Sequence, residues 1–447
     1  MNATLRISKE VRLIFWTWIA VVALALPPLF TSDWYRIGSL GGGIGFVIGI
    51  PLLAVIPIGS ELEEGTLSLL LSQPITRIQI WLQKFAVSSI AVVTSSLAFA
   101  LAYRTTVLTP VTGLAVLWVV AALCAAPYCA LIARSVRGAL ALNLIGFALV
   151  LLTSQLFSWA RLEVVVTLWA VLMLALGIRK MARFELTTGP VGGDLLTVGP
   201  SFRLLRIRRA GVVTNFIRKE LGLLRPLWLI SLSFVVIFTV LGIWYRPARY
   251  ALSANFALAV VYQTLSVLLA GSLSVGEEKL SGMHPWHLTL PMSTSQQWLL
   301  KLVIAISSSI VCVVAIPSLL TVVLQLDTPS IASIFFYAVS VALLTLVVFW
   351  SACFMTGTVR AILLSVVVLF VLTSVAGVGM SSRVFYYPLA FVQVIVPTLA
   401  LALVQSYRMF RVQPPQTAAS LLRQLLPLAA TAFAFSLLTA FLITGQR

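Results

Sequence analysis

The chain has 447 residues, of which 60% are hydrophobic and only 9% charged, with a mean hydropathy of +1.08. That excludes an ordinary soluble globular protein, in which about a quarter of residues carry charge. The 30 Lys and Arg against 12 Asp and Glu give a formal charge of +18. In a membrane chain such an excess reports loop orientation and does not point to a nucleic-acid partner.

Apolar runs long enough to cross a hydrocarbon layer, about 20 residues each, recur along the whole length. Spans are expected near 13–31, 38–59, 85–103, 111–133, 138–158 and 162–178, and a second set near 227–244, 254–275, 299–323, 330–357, 361–380 and 384–404. The tail 425–444 is apolar enough for a thirteenth, so the count is 12 or 13. No cleavable leader is expected before the first span, which should be retained. Cys124, Cys129, Cys312 and Cys353 all fall inside apolar runs and are expected to pack as small apolar residues.

With a cytoplasmic N terminus, alternate loops collect 23 of the 30 Lys and Arg. This asymmetry predicts a multi-pass protein of the plasma (inner) membrane with that orientation. Ten of the 23 lie between Arg179 and Pro226. The expected organisation is a first six-span repeat over 1–184, a basic cytoplasmic linker over 185–212, and a second repeat over 213–447 that includes the extra C-terminal span.

The two halves look like copies. Glu61 to Lys84 laid on Glu278 to Lys301 at an offset of 217 gives eight identities in 24 positions, where about two are expected from background usage. Ile7, Lys9, Glu10, Leu13 and Trp18 match Ile217, Lys219, Glu220, Leu223 and Trp228 at an offset of 210, and Val136 and Arg137 match Val359 and Arg360. Equivalent loops on one side make the repeats parallel. The predicted fold is therefore all-α, a polytopic helical membrane protein with two parallel pseudo-repeats, each preceded by an interfacial elbow helix.

The elbow expectation rests on Arg6, Lys9 and Arg12 at three-residue spacing, with Leu5, Ile7, Val11 and Ile14 supplying apolar surface; a basic helix of this kind can lie among lipid headgroups. Arg218, Lys219 and Glu220 belong to its second copy. The loop after the second span holds Glu61, Glu63, Glu64, Gly65, Thr66, Pro74 and Arg77 before Lys84. Its copy holds Glu277, Glu278, Gly282 and Pro291 before Lys301. A loop that merely joins two spans can be short and variable, so an element of this length kept in both halves suggests a task. A short helix over 66–72 is expected to present Leu67, Leu70 and Leu71 on one face, fit for a partner's groove. The alternative is that the acids solvate the loop and cap helices.

Glu61, Glu64, Gly65, Thr66, Leu67, Leu69, Leu70, Leu71, Pro74, Arg77 and Lys84 resemble the loop after the second span in type-2 ATP-binding cassette (ABC) transporter permeases. The resemblance implies a transmembrane permease subunit, exporter-type, with two units fused in one chain. It implies that a coupling helix in each loop meets separate cytosolic ABC ATPase subunits, present in two copies. The second loop departs from the pattern: Met283 replaces Thr66, His284 to His287 replace the leucine run, and Thr294 replaces Arg77.

Catalytic, cofactor and metal residues are not expected in this chain. It has no GxxxxGK[ST] loop, so ATP and Mg are expected on the partner and the chain itself is not read as an enzyme. His284 and His287 are too few for a closed metal site. Gly41, Gly45 and Gly49 form a stripe suited to close helix packing. No acid or histidine falls in the middle of a predicted span, which disfavours an ion-coupled secondary transporter, the main alternative. A membrane-embedded lipid-modifying enzyme is the third, less favoured class. The transported substrate is not legible.

Overall fold

The computed structural model describes residues 3–25, 43, 45–63, 65–71, 76–103, 111–156, 162–184, 211–244, 249–284, 292–324, 330–379, 388–413 and 415–444. All regular elements among them are helical. In chain order these are α1 (Ala3–Ala25), a π-helical turn (Gly45–Gly49) running into α2 (Ile50–Glu63), the short α3 (Leu67–Leu71), α4 (Arg77–Ala102), α5 (Val111–Ala133), α6 (Val136–Leu156) and α7 (Leu162–Ala182). There follow α8 (Val212–Leu223), α9 (Arg225–Trp244), α10 (Arg249–Leu280), α11 (Thr294–Ile310), a second π-helical turn (Val311–Ala315), α12 (Ile316–Val323), α13 (Ile331–Phe354), α14 (Thr358–Gly379), α15 (Pro388–Val412) and α16 (Ala418–Thr444).

The described part of each of the thirteen apolar runs is largely helical. Among the described residues eight helical segments are long and apolar enough to cross a membrane, nine if the bent pair Val212–Leu223 and Arg225–Val240 is one span. The chain is thus a multi-pass integral membrane protein by helix length and hydropathy. Several of the 12 or 13 expected runs lie partly outside the described residues. α1 carries four charged residues, Arg6, Lys9, Glu10 and Arg12, in its first half. Among the described residues α6 and α14 contribute only the shorter apolar stretches Val136–Val150 and Thr358–Leu369. α15 ends in the polar run Gln405 to Arg411.

The chain divides into two compact units, one of residues 1–201 and 232–261, the other of 202–231 and 262–447. In the first, α2 packs on α1, α4, α5 and α6, while α7 lies against α5. α2 is apolar all round and buried from Ile50 to Gly59, the pattern of a central helix. Close approach to α1 uses Gly45 and Gly49: a Cβ on Gly49 would stand 2.7 Å from a Val21 methyl, and one on Gly45 3.0 Å from Leu24. These two glycines serve packing; Gly41 lies outside the described residues.

In the second unit, α13 packs on α11, α14 and α15, and α16 covers α14 and α15. Its core joins Phe349, Trp350, Phe354 and Phe410 to Leu302 and Val275. The indole of Trp350 donates to Gln405 at 3.0 Å, and Gln405 donates in turn to the Gln424 carbonyl. Where the π-helical turn before α2 carries Gly45 and Gly49, α10 carries Tyr262 and Ser266 at an offset of 217. The Tyr262 hydroxyl reaches Ser231 at 3.0 Å and the Cys312 carbonyl at 2.7 Å. Cys129, Cys312 and Cys353 are buried and all four thiols are free, in keeping with packing as apolar residues.

The expected elbows differ from each other. The N-terminal basic segment is not a separate helix but the first turns of an unbroken α1, because no Gly or Pro interrupts it before the apolar run. The second segment is set off: α8 and α9 meet at a 55° bend, with Gly222 and Pro226 flanking the break.

Candidate functional site

The functional candidates gather at one place in each unit. In the first, three helices bring charge together: α1 supplies Lys9 and Glu10, the end of α2 supplies Glu61, and the second turn of α4 supplies Lys84. The Lys84 ammonium lies 2.7 Å from Glu10, 2.7 Å from Glu61 and 2.8 Å from the Pro57 carbonyl. Lys9 closes the group at 2.9 Å from the other Glu61 oxygen. Lys84 and Glu61 are almost fully buried, at 2% and 1% exposure, whereas the Lys9 side chain is 48% exposed. Two cations and two anions cancel, as burial of charge requires. Glu10 precedes the apolar run of α1, and burial drives its carboxyl above the usual carboxylate range, against the opposing pull of Lys84.

The second unit builds the same group from residues at the matching offsets. Lys301 on α11 lies 2.5 Å from Glu220 of α8, 2.8 Å from Glu278 of α10 and 3.4 Å from the Ser274 carbonyl, itself 217 positions after Pro57. Lys219 donates to Glu278 as well. Both lysines also sit over the Phe216 ring, at 5.3 and 5.7 Å from its centre. This cluster is drier: Lys301 and Glu220 are both at 0% exposure.

The local chain geometry explains why the charges meet. α2 and α10 end at glycines in the left-handed region, Gly65 at φ 69° and Gly282 at φ 68°. At Gly282 the end is complete: Met283 N donates to the Glu278 carbonyl and Gly282 N to the Lys279 carbonyl, the double bond of a Schellman stop. The next long helices start at Thr76 and Ser293, whose hydroxyls accept from the amides of Gln79 and Gln296. The lysines then fall two turns into those helices, level with the carboxylates. Gly65→Ala and Gly282→Ala are each expected to lower stability by about 1 kcal/mol, because a side chain at that φ is disfavoured. No atom crowds a Cβ at Gly282, so Gly282→Asn, which tolerates that backbone, should recover part of the loss in thermal unfolding.

A second tie holds each α2-type helix. Glu63 lies 3.6 Å from Arg137 and accepts from the Val136 amide at 3.4 Å. In the other unit Glu277 accepts from the Thr358 hydroxyl at 2.6 Å. Each acid thus meets the start of the fifth long helix of its unit, just after a left-handed residue, Arg134 at φ 55° or Gly357 at φ 90°. Arg77 donates to the Ala182 and Phe184 carbonyls at 3.2 and 2.9 Å, closing the end of α7.

Several expected residues take other places. Leu67 and Leu70, read as a docking face, are buried at 1% and 8%, and the exposed leucine is Leu69 at 69%. The reason is that the five-residue α3 folds its apolar side onto its own unit. Thr66 follows Gly65 in the turn, and its hydroxyl is buried with no hydrogen-bond partner. Arg12 is exposed on α1 and Arg218 half-buried on α8. Glu64, Pro74, Pro291, His287 and the Arg6 side chain lie outside the described residues. His284 is buried, its Nε2 3.2 Å from the Phe410 carbonyl and its ring edge-on to Phe410. Among the described residues no group of three His, Cys, Asp or Glu could hold a metal ion.

Sequence reasoning chose the lysines and acids singly but not their union. The signal was present: the residues kept at both offsets, 210 and 217, include all eight cluster members. The chain matches no protein-family model, no curated protein and no solved structure.

Proposed function

We propose that this chain is the transmembrane permease subunit of an ABC transporter of exporter type, two six-span units fused by duplication, driven by separate cytosolic ATPase subunits. Its coupling loops are 61–84 and 278–301, and ATP and Mg belong to the partner. One observation carries the reading. In each unit the loop after the second helix is fastened, through a buried Lys–Glu group, to the charged segment that starts the first helix and to the start of the third. A force applied to that loop reaches three helices at once, as a coupling element requires. Burial of charge there is costly and serves no connecting role.

The matched glycines, caps and ion groups support duplication, while the parallel plan of 12 or 13 spans with a cytoplasmic N terminus rests on the apolar runs and the loop charges. Among the described residues the buried acids are Glu10, Glu61, Glu220 and Glu278. All four are engaged by lysine near helix ends, which leaves an ion-coupled carrier without its central carboxylate.

The test is purification of the chain from its native host in mild detergent, with mass spectrometry of the soluble proteins retained. A Walker-type ATPase is expected to copurify. Leu69→Asp, at an exposed position of α3, is expected to lower its retention about tenfold by placing charge in an apolar contact. Transport that survives full ATP depletion would refute the reading.

A further inference from the structure

We infer that His284 is a proton-operated latch on the turn that ends α10: its charged ring clamps that turn between Glu278 and the backbone of α15, and its neutral ring does not. The argument begins with the tautomer. Nε2 lies 3.2 Å from the Phe410 carbonyl. A carbonyl oxygen only accepts, so Nε2 carries hydrogen. A neutral ring then has a bare lone pair at Nδ1. That nitrogen is buried with no partner at hydrogen-bond distance, and Oε2 of Glu278 stands 3.7 Å from it. Acceptor faces acceptor across a dry gap, which is unfavourable. One proton on Nδ1 makes both ring nitrogens donors and draws the 3.7 Å contact closed into a charge-assisted hydrogen bond.

Among the described residues the neighbouring charges are engaged as follows. Lys219 and Lys301 both engage Oε1 of Glu278, leaving Oε2 toward the ring, and Glu220 is held by Lys301. The neighbours on α10 turn elsewhere, Lys279 to the Cys353 carbonyl and Glu277 to Thr358. α15 brings no acid, its charged residues being Arg408 and Arg411. Glu278 is therefore the carboxylate that the ring addresses. The first unit has no such device, since position 67, the counterpart of His284, is a buried leucine.

The latch closes a tight turn. Ser281 to Met283 are exposed, Gly282 holds φ 68°, and His284 is the buried peg that returns the chain to the unit. The latch itself rests on this geometry; its consequence, that protonation firms the second coupling loop alone, rests on the permease reading.

The test uses the full chain in detergent micelles without any partner, so its outcome is independent of whether an ATPase is found. Hydrogen exchange of the peptide holding Gly282 and Met283, corrected for the intrinsic rate, is followed from about pH 6 to pH 8. Protection is expected to be about tenfold greater at the acid end, to lose its pH dependence in His284→Gln, and to keep it in His287→Gln. A flat profile in the unmodified chain, persistence in His284→Gln or loss in His287→Gln overturns the proposal. If His284→Gln does not fold, nitrogen NMR of labelled histidine in the unmodified chain decides. Protons on both ring nitrogens at the acid end support the latch, and a neutral Nε2–H ring throughout refutes it.

Discussion

Lys84→Met and Lys301→Met are each expected to cost about 3–5 kcal/mol of stability, the range for removing one partner of a buried ion pair. Each substitution keeps most of the side-chain volume, so the loss is electrostatic. Without Lys84, Glu10 and Glu61 have only Lys9 to balance them, and Lys9 is half in solvent. Without Lys301, Glu220 and Glu278 are left in a still drier place with Lys219. The larger effect is expected at Lys301. Thermal unfolding in detergent measures it, with a fall of more than about 5 °C expected. The control is Lys84→Met combined with Glu10→Gln and Glu61→Leu. Replacing an ion group by neutral residues of similar size is often tolerated, so that triple variant should recover most of the loss. A single variant that melts unchanged would show that the lysine is not the centre of its group.

Apolar periodicity located the helices because a bilayer forces every spanning segment to satisfy its own backbone. Pairing between distant segments is another matter. Lys84 meets Glu10 across 74 residues and Lys301 meets Glu220 across 81, and nothing in either segment alone names its partner. The internal match narrowed the choice, since the charged residues it keeps are the ones that meet. Helical periodicity misled at Leu67 and Leu70, because the spacing that suggests an outward face equally suits an inward one. The internal match, for its part, hid differences between the units. The close α1–α2 packing at Gly45 and Gly49 has no glycine counterpart in the second unit, where Tyr262 is hydrogen-bonded at the matching place. The continuity of α1 against the bend between α8 and α9 came from single residues, Gly222 and Pro226, that do not stand out in a chain with 26 Gly and 20 Pro.

Glu278→Gln is expected to be more damaging than Glu61→Gln, although the two positions match. Both substitutions turn a balanced group into one with an extra positive charge. In the first unit that charge can be left on Lys9, whose side chain is 48% exposed, at little cost. In the second the same relief falls to Lys219, which is less exposed at 34%, while Lys301 at 0% has no access to water. Removing the matching lysine tests the logic, because Lys219→Gln with Glu278→Gln leaves Lys301 and Glu220 as a neutral pair, just as Lys9→Gln with Glu61→Gln leaves Lys84 and Glu10. A coupling energy above about 1 kcal/mol in the second cycle and a smaller one in the first is the expected result. Equal coupling in both would mean that solvent reaches the two groups alike. Glu278→Gln also removes the charge that His284 addresses, so the same variant should flatten the pH dependence of exchange at Gly282 and Met283, whereas Glu61→Gln should leave it intact. If Glu278→Gln is as mild as Glu61→Gln yet flattens that profile, the carboxylate serves the histidine more than the lysines.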